Sequence, residues 1–125
     1  MSCPCICCDD DTLESLYDTV EEYDYVCIDE GAFFKNIVPF CEKLANDGCN
    51  VIVATLIGDY KREGFNNILH LIPKCENITM LHAICMKCHK DGAAFTKRIV
   101  EGNETEMVGG AESYIACCRK CFFEK

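Results

Sequence analysis

The sequence predicts a mixed α/β protein, with a parallel sheet and helices followed by a smaller C-terminal subdomain organised by cysteines. Two observations support this fold class. Strand-length apolar runs alternate with a helical pattern between residues 25 and 57, and two Cys-x-x-Cys pairs lie in the last third of the chain. The predicted division is a cysteine- and aspartate-rich N-terminus at 1–12, an α/β core at 13–80 and the cysteine subdomain at 81–125.

Composition and charge exclude several classes of protein. The 125 residues include 13 cysteines and carry a formal net charge of −9. No apolar run approaches the roughly 20 residues that span a bilayer, and residues 1–11 lack the features of a signal peptide. We therefore expect a soluble cytoplasmic protein without a membrane partner, whose cysteines are metal ligands or buried thiols. Because the acidic charge repels phosphate backbones, no direct nucleic-acid binding is expected.

Two elements are predicted near the N-terminus. Apolar residues at helical spacing from Leu13 to Val20 predict a helix, and Asp11 with Glu14 has the spacing of a capping box at its start. After a short acidic segment, Tyr25–Ile28 is an apolar run that suits a buried strand.

A helix and a second strand follow. Apolar residues on one face between Phe33 and Ala45 predict the helix, and Asn46–Gly48 supplies its end. Val51–Ile57 is a continuous, largely β-branched run, typical of a central parallel strand. The short links indicate a βαβ unit. The remaining predicted elements of the core are a loop, a short helix and a strand, in chain order Gly58–Gly64, Phe65–Leu71 and Ile78–Ile84.

The two Cys-x-x-Cys pairs predict a structural zinc site formed by Cys85, Cys88, Cys118 and Cys121. The pairs are separated by 29 residues, and four thiolates complete a closed tetrahedral shell with no position for a reactive water. Zinc binding of this kind contributes about 10–16 kcal/mol of apparent energy, enough to define a small fold. The alternatives are four buried thiols or a redox pair. Cys117 is a competing ligand by position, but the symmetric spacing favours Cys118.

A hairpin is predicted between the two cysteine pairs. Its parts are a strand, a turn and a return strand, at 94–100, 101–103 and 104–108.

Paired carboxylates end the first predicted strand. Asp29 and Glu30 directly follow the apolar run, an arrangement that in nucleotide hydrolases and kinases places one acid near magnesium and a second near the nucleophile. A solvated strand end gives the same pattern, so these two residues alone leave both interpretations open.

The chain resembles the type II thymidine kinases, the zinc-containing enzymes of cells and large DNA viruses. The resemblance covers approximately Leu13 to Phe122. It is carried by six segments: Asp29–Phe34, Val51–Ala54, Cys85–Cys88, Phe95–Arg98, Gly109–Tyr114 and Cys118–Cys121. It implies a P-loop (RecA-like) sheet, truncated here, with a zinc-ribbon "lasso". It further implies transfer of the ATP γ-phosphate to the 5′-hydroxyl of thymidine in nucleoside salvage, with structural Zn²⁺, with ATP and Mg²⁺, and in a homotetramer.

The resemblance also implies roles for individual residues. Glu30 matches the carboxylate that accepts the proton of the thymidine 5′-hydroxyl, and Asp29 matches the acid associated with magnesium. Eight residues match positions that line the nucleoside pocket or the lasso: Phe33, Leu56, Tyr60, Phe65, Thr96, Val108, Gly109 and Tyr114. Periodicity alone would instead favour Phe33, Leu56 and Phe65 as plain core residues, and Tyr114 as packing against the cysteine turns.

A phosphate-binding loop is the family feature that this sequence lacks. The pattern GxxxxGK[ST] requires a Gly-Lys pair, and none occurs among the 125 residues. In the family this loop lies upstream of the matched region. We therefore expect an incomplete gene model or a fragment of a longer kinase, with no turnover by this chain alone. The alternatives are an inactive kinase-like subunit, a non-catalytic zinc-ribbon binding module, or a new site formed by the N-terminal cysteines.

Overall fold

The computed structural model describes residues 3–9, 11–100 and 113–125 and confirms a mixed α/β fold. The helices are α1 (Tyr17–Val20), α2 (Ile37–Asn46), α3 (Asn66–Leu71) and α4 (Arg119–Phe123). The strands are β1 (Tyr25–Ile28), β2 (Asn50–Val53), β3 (Ala83–Ile84), β4 (Asp91–Ala93), β5 (Phe95–Arg98) and β6 (Tyr114–Cys117). Short 3-10 turns lie at Glu14–Leu16, Gly31–Phe33 and Ile72–Lys74.

The chain divides into two compact units. The first comprises Met1–Ile57 and Phe65–Glu76, and the second comprises Gly58–Gly64 and Asn77–Lys125. The predicted division at residues 12 and 80 stays a prediction. So does the truncated P-loop topology, because the described residues contain a single parallel pair of strands.

The first unit contains the predicted strand–helix–strand arrangement. β1 and β2 are parallel, with Tyr25 opposite Asn50 and Ile28 opposite Val53, and α2 connects them. β2 is shorter than the predicted Val51–Ile57, because β1 ends at Ile28 and the ladder has no further partner there.

The core of the first unit lies around α2. Its buried side chains are Leu13, Ile28, Ile37, Phe40, Cys41, Leu44 and Ile68. Four of these lie on α2 at helical spacing, as predicted. The helix ends where expected: Gly48 has φ +96°, and its N–H donates to the Ala45 carbonyl at 3.1 Å.

The first helix forms, but the predicted capping box is wrong. The Asp11 carboxylate pairs with the Lys35 ammonium, and the helical turn begins only at Glu14, without a side-chain cap. The Asn36 side-chain oxygen instead accepts the Leu13 N–H at 2.9 Å. A partner distant in sequence therefore replaces the local cap.

The second unit is built from two small antiparallel sheets, β3 with β4 and β5 with β6. The prediction of a strand over Ile78–Ile84 is mostly wrong, since only Ala83–Ile84 pairs with another strand. Leu81 is 86% exposed. Its apolar neighbourhood suggested a buried strand, but within the described residues no strand lies beside residues 78–82.

The predicted hairpin strand at 94–100 is confirmed in its central part. β5 pairs with β6, with Phe95 opposite Cys117 and Arg98 opposite Tyr114. The predicted turn and return strand at 101–108 lie outside the described residues. The buried core of this unit consists of Cys85, Ala93, Cys117 and Cys121.

Candidate functional site

Four cysteines of the second unit lie together, as their spacing predicted. The sulfur atoms of Cys85, Cys88, Cys118 and Cys121 all lie within 4.8 Å of one another, and those of Cys88 and Cys118 are 3.9 Å apart. Four sulfurs placed tetrahedrally at about 2.3 Å from a zinc ion are separated by about 3.8 Å. The cluster therefore has the size and donor chemistry that a tetrahedral thiophilic metal requires.

Backbone hydrogen bonds hold the first cysteine pair as a tight turn between β3 and β4. The Cys85 N–H donates to the Lys90 carbonyl at 2.9 Å, and the Cys85 carbonyl accepts the His89 N–H at 2.8 Å. His89 adopts a left-handed backbone conformation, with φ 57°. The Met86 N–H donates to the Ala116 carbonyl at 2.9 Å, which attaches this turn to β6.

The second cysteine pair spans the start of α4. Cys118 immediately precedes the helix, and its carbonyl accepts the Phe122 N–H at 2.9 Å. Cys121 lies within the helix and is buried, as is Cys85, whereas Cys88 and Cys118 are more accessible. Each pair therefore contributes one buried and one more accessible sulfur to the group of four.

The surroundings of the sulfurs favour a thiolate at one position. The pKa of Cys85 is lowered to about 6, because the backbone N–H of Cys88, and then that of Cys118, donates to its sulfur. The pKa of Cys121 is raised to about 12, first by burial and then by its hydrogen bond with Cys118. A metal that binds here must displace the protons of the remaining thiols, so we expect its affinity to rise with pH.

Cys117 is a fifth thiol beside this cluster, and it is buried. It is fully buried at the end of β6, and burial raises its pKa. Its sulfur is not part of the four-sulfur group, which contains Cys118. The structure thus agrees with the ligand choice that the symmetric spacing predicted.

The paired acids of the first unit lie on an exposed turn directly after β1. Asp29 and Glu30 are both exposed, and the Asp29 carboxylate accepts the Glu30 backbone N–H at 2.9 Å. Glu30 has φ 53° and ψ 43°, a left-handed conformation that costs a non-glycine residue about 1–2 kcal/mol. Strained residues of this kind occur often at functional sites.

Two polar side chains that the sequence analysis did not select hold this turn. Thr55 Oγ1 accepts the Ala32 N–H at 3.0 Å, and Asn67 Nδ2 donates to the Ala32 and Phe34 carbonyls at 2.9 and 3.0 Å. The available signal was the polarity of Thr55, which interrupts an apolar run; Asn67 lies in a short helix that is half polar and gave no such signal.

Three predicted nucleoside-pocket residues lie in the first unit. Phe33 and Leu56 are 63% and 58% exposed, so neither is a core side chain of this unit. Phe65 is half-buried and packs against the core.

The other described pocket residues lie in the second unit. Tyr60 is part of the loop Gly58–Gly64, in which the Asp59 carboxylate accepts two backbone N–H groups at 2.8 and 2.9 Å. The Tyr60 ring centroid is 6.3 Å from that of Tyr114. Thr96 is half-buried in β5, opposite Ala116.

Two further predicted residues, Val108 and Gly109, lie outside the described residues. The nucleoside-binding roles of all eight positions therefore stay predictions. Within the described ranges, no helix combines the length and apolar character needed to cross a membrane.

The fold and the cysteine cluster define the class: a mixed α/β protein with a four-cysteine group that can hold a metal ion. Comparison with known proteins is more specific, because the family described as "Thymidine kinase" matches residues 3–122. The chain belongs to the thymidine kinase family.

Viral thymidine kinases are among the similar proteins. The chain is 50% identical over 111 residues to the thymidine kinase of sheeppox virus (strain KS-1). The aligned region covers 86% of this chain and 62% of that protein. It is 50% identical over 113 residues to that of myxoma virus (strain Lausanne), covering 90% and 61%. For vaccinia virus (strain Western Reserve) the values are 49% over 114 residues, covering 91% and 62%. The chain thus aligns with about three-fifths of the length of these relatives.

Proposed function

We propose that this chain functions in thymidine phosphorylation, the transfer of the ATP γ-phosphate to the 5′-hydroxyl of thymidine. The observation that carries the proposal is the match to the thymidine kinase family over residues 3–122. The names of the similar viral proteins support the same reaction and substrate.

In this proposal Glu30 accepts the proton of the 5′-hydroxyl, and Asp29 lies near the magnesium ion that accompanies ATP. Both carboxylates are exposed at the end of β1, where a substrate can reach them. The left-handed backbone of Glu30 supports a functional role, since strain of this size is retained where surrounding contacts over-determine it.

Nucleoside binding is assigned to the exposed or half-buried residues Phe33, Leu56, Phe65, Tyr60, Thr96 and Tyr114, together with Val108 and Gly109. Large apolar side chains exposed to solvent, such as Phe33, are suited to contact a ligand ring. The ATP phosphates are assigned to no residue of this chain, which contains no GxxxxGK[ST] segment.

We assign a structural zinc ion to the cluster of Cys85, Cys88, Cys118 and Cys121. The sulfur spacing fits the ion, and a four-thiolate shell supplies fold stability rather than a reactive water. We also propose a cytoplasmic homo-oligomer, a state that size-exclusion chromatography with light scattering would measure directly.

Calorimetric titration of thymidine into the zinc-loaded 125-residue protein tests nucleoside binding. Phe33→Ala should weaken binding about tenfold or more, because it removes an aromatic contact with the nucleoside ring. Tyr25→Ala is the matched control, since Tyr25 is 66% exposed in the same unit and has no assigned role. Absence of thymidine heat with the wild-type protein would overturn the nucleoside assignment, and equal affinity of the two variants would remove Phe33 from it.

A second assay separates binding from catalysis. The protein is incubated with ATP, Mg²⁺ and thymidine, and thymidine monophosphate is measured by chromatography. We expect thymidine binding without turnover, because no residue of this chain is assigned to the ATP phosphates. Turnover that Glu30→Gln abolishes would contradict that expectation and support the full reaction by this chain alone.

A further inference from the structure

We infer that Asn67 and Thr55 are positioning residues that fix the turn between Glu30 and Phe34, and thereby set the geometry of Glu30 and Phe33. This inference rests on the proposed function, because it assigns these two polar side chains to the same nucleoside site. Neither side chain is proposed to touch the substrate.

Asn67 connects α3 to the turn by a pair of hydrogen bonds. Its Nδ2 group donates to the Ala32 carbonyl at 2.9 Å and to the Phe34 carbonyl at 3.0 Å, one on either side of Phe33. Its Oδ1 accepts the Ile68 N–H at 3.0 Å. Both amide hydrogens are therefore used, and they hold the backbone on both sides of the aromatic residue.

Thr55 connects the segment after β2 to the same turn. Its hydroxyl oxygen accepts the Ala32 N–H at 3.0 Å, and the hydroxyl donates to the Leu56 carbonyl at 2.9 Å. A backbone bond lies beside it, in which the Gly31 N–H donates to the Ala54 carbonyl at 3.1 Å. The turn is thus attached to the segment that follows β2 by one side-chain contact and one backbone contact.

These contacts explain how a strained turn keeps a single geometry. The Glu30 backbone is left-handed and its side chain is exposed, so its own packing does not hold it in place. Phe33 is 63% exposed and also lacks a packed environment in this unit. Their direction therefore follows from the backbone of the turn, which Asn67 and Thr55 hold. Misplacement of a reacting group by about 1 Å can cost about a hundredfold in rate.

Asn67→Ala is the principal variant, and Asn66→Ala is its matched control. Asn66 is the preceding residue of the same helix, and its side chain is exposed. Hydrogen exchange of the Ala32 and Phe34 amides, measured by NMR in the free protein, reports the turn directly. Asn67 bonds the carbonyls of these residues, and their N–H groups donate to Thr55 Oγ1 and to the Gly31 carbonyl, so the variant acts on exchange by letting the turn open. Loss of the two carbonyl bonds should speed exchange of the Ala32 and Phe34 amides by about 10–100-fold in Asn67→Ala, while the amides of α2 exchange as in the wild type.

Thymidine titration gives the second readout. We expect Asn67→Ala to weaken thymidine binding about tenfold, and Asn66→Ala to leave it unchanged. Thr55→Val and Thr55→Ser form an independent pair for the case that Asn67→Ala does not fold. Valine removes the acceptor at nearly constant shape and should speed Ala32 exchange, whereas serine keeps the hydroxyl and should restore it.

The outcomes separate this inference from the proposed function. The inference would be overturned if folded Asn67→Ala showed the wild-type amide exchange rates in the turn and the wild-type thymidine affinity. It would also be overturned if Ala32 exchanged as fast in Thr55→Ser as in Thr55→Val. Neither result would contradict nucleoside binding by the wild-type protein. A wild-type protein that binds no thymidine would overturn the proposed function. The exchange measurements would still decide whether the two side chains hold the turn.

Discussion

Gly31→Ala is a stringent test of the turn that carries Glu30. A Cβ atom built on Gly31 lies 2.5 Å from Val53 Cγ1, 3.5 Å from Thr55 Cβ and 3.7 Å from Ile68 Cδ1. Non-bonded carbon atoms prefer separations of about 3.5–4.0 Å, so the first contact is too short by about 1 Å. The Val53 backbone is held by its pairing with Ile28, and its β-branched side chain is restricted at χ1, so Cγ1 moves away only at a cost.

Gly31→Ala is expected to destabilise the protein, although the loss of backbone freedom in the unfolded chain would by itself stabilise it. Replacing glycine by alanine, where the backbone angles permit, stabilises a protein by about 0.4–1 kcal/mol through the unfolded chain. Overpacking of a filled site costs about 1–3 kcal/mol. We therefore expect Gly31→Ala to lower the free energy of unfolding by about 1–2 kcal/mol, a fall of roughly 4–10 °C in Tm for a chain of this size.

Urea unfolding followed by circular dichroism measures this change, and the chain has no tryptophan to serve as an alternative probe. Val53→Ala removes the atom that clashes and provides the control. The double variant Gly31→Ala/Val53→Ala should be no less stable than Val53→Ala, so the coupling between the two sites should be at least the cost of Gly31→Ala alone, about 1–2 kcal/mol. Unchanged stability of Gly31→Ala, or simple addition of the two single effects, would refute the contact.

Three further predictions concern the metal, the strained acid and alkaline pH. Cys118→Ser should reduce bound zinc, measured by mass spectrometry, from about one ion per chain towards zero, whereas Cys117→Ser should retain it; the reverse result would exchange the ligand assignment. Glu30→Gly should be about 1 kcal/mol more stable to urea than Glu30→Ala, because only glycine adopts the left-handed backbone without cost, and equal stabilities would contradict that strain. The hydrogen bond from the Tyr17 hydroxyl to the Asp47 carboxylate raises the pKa of Tyr17 to about 12. Its contribution to stability is therefore complete below pH about 10 and lost as pH rises towards 12, so the urea midpoint should fall less over this range in Tyr17→Phe than in the wild type.

Local patterns account for the parts of the fold and site that were predicted correctly. The two cysteines of each pair are three residues apart, a spacing that a single local turn or the start of a helix can bring together, and the structure places all four sulfurs together. The apolar face of α2 and its end at Gly48 likewise depend on residues within a few positions of one another.

Predictions failed where a residue depends on a partner far along the chain. Asp11 pairs with Lys35, 24 positions away, instead of capping the first helix. Residues 78–82 have the apolar composition of a strand, but a strand exists only with a neighbour to accept its hydrogen bonds, and composition does not reveal whether that neighbour is present.

The sequence by itself determined the mixed α/β class, the four-cysteine group and the membership of the thymidine kinase family. Tertiary structure alone decided how the acidic turn is held. Asn67 reaches carbonyls 33 and 35 residues earlier, and Thr55 accepts an N–H 23 residues earlier. Hydrogen bonds between such distant segments leave no periodic signal in the chain, because they depend on the packing that brings the segments together.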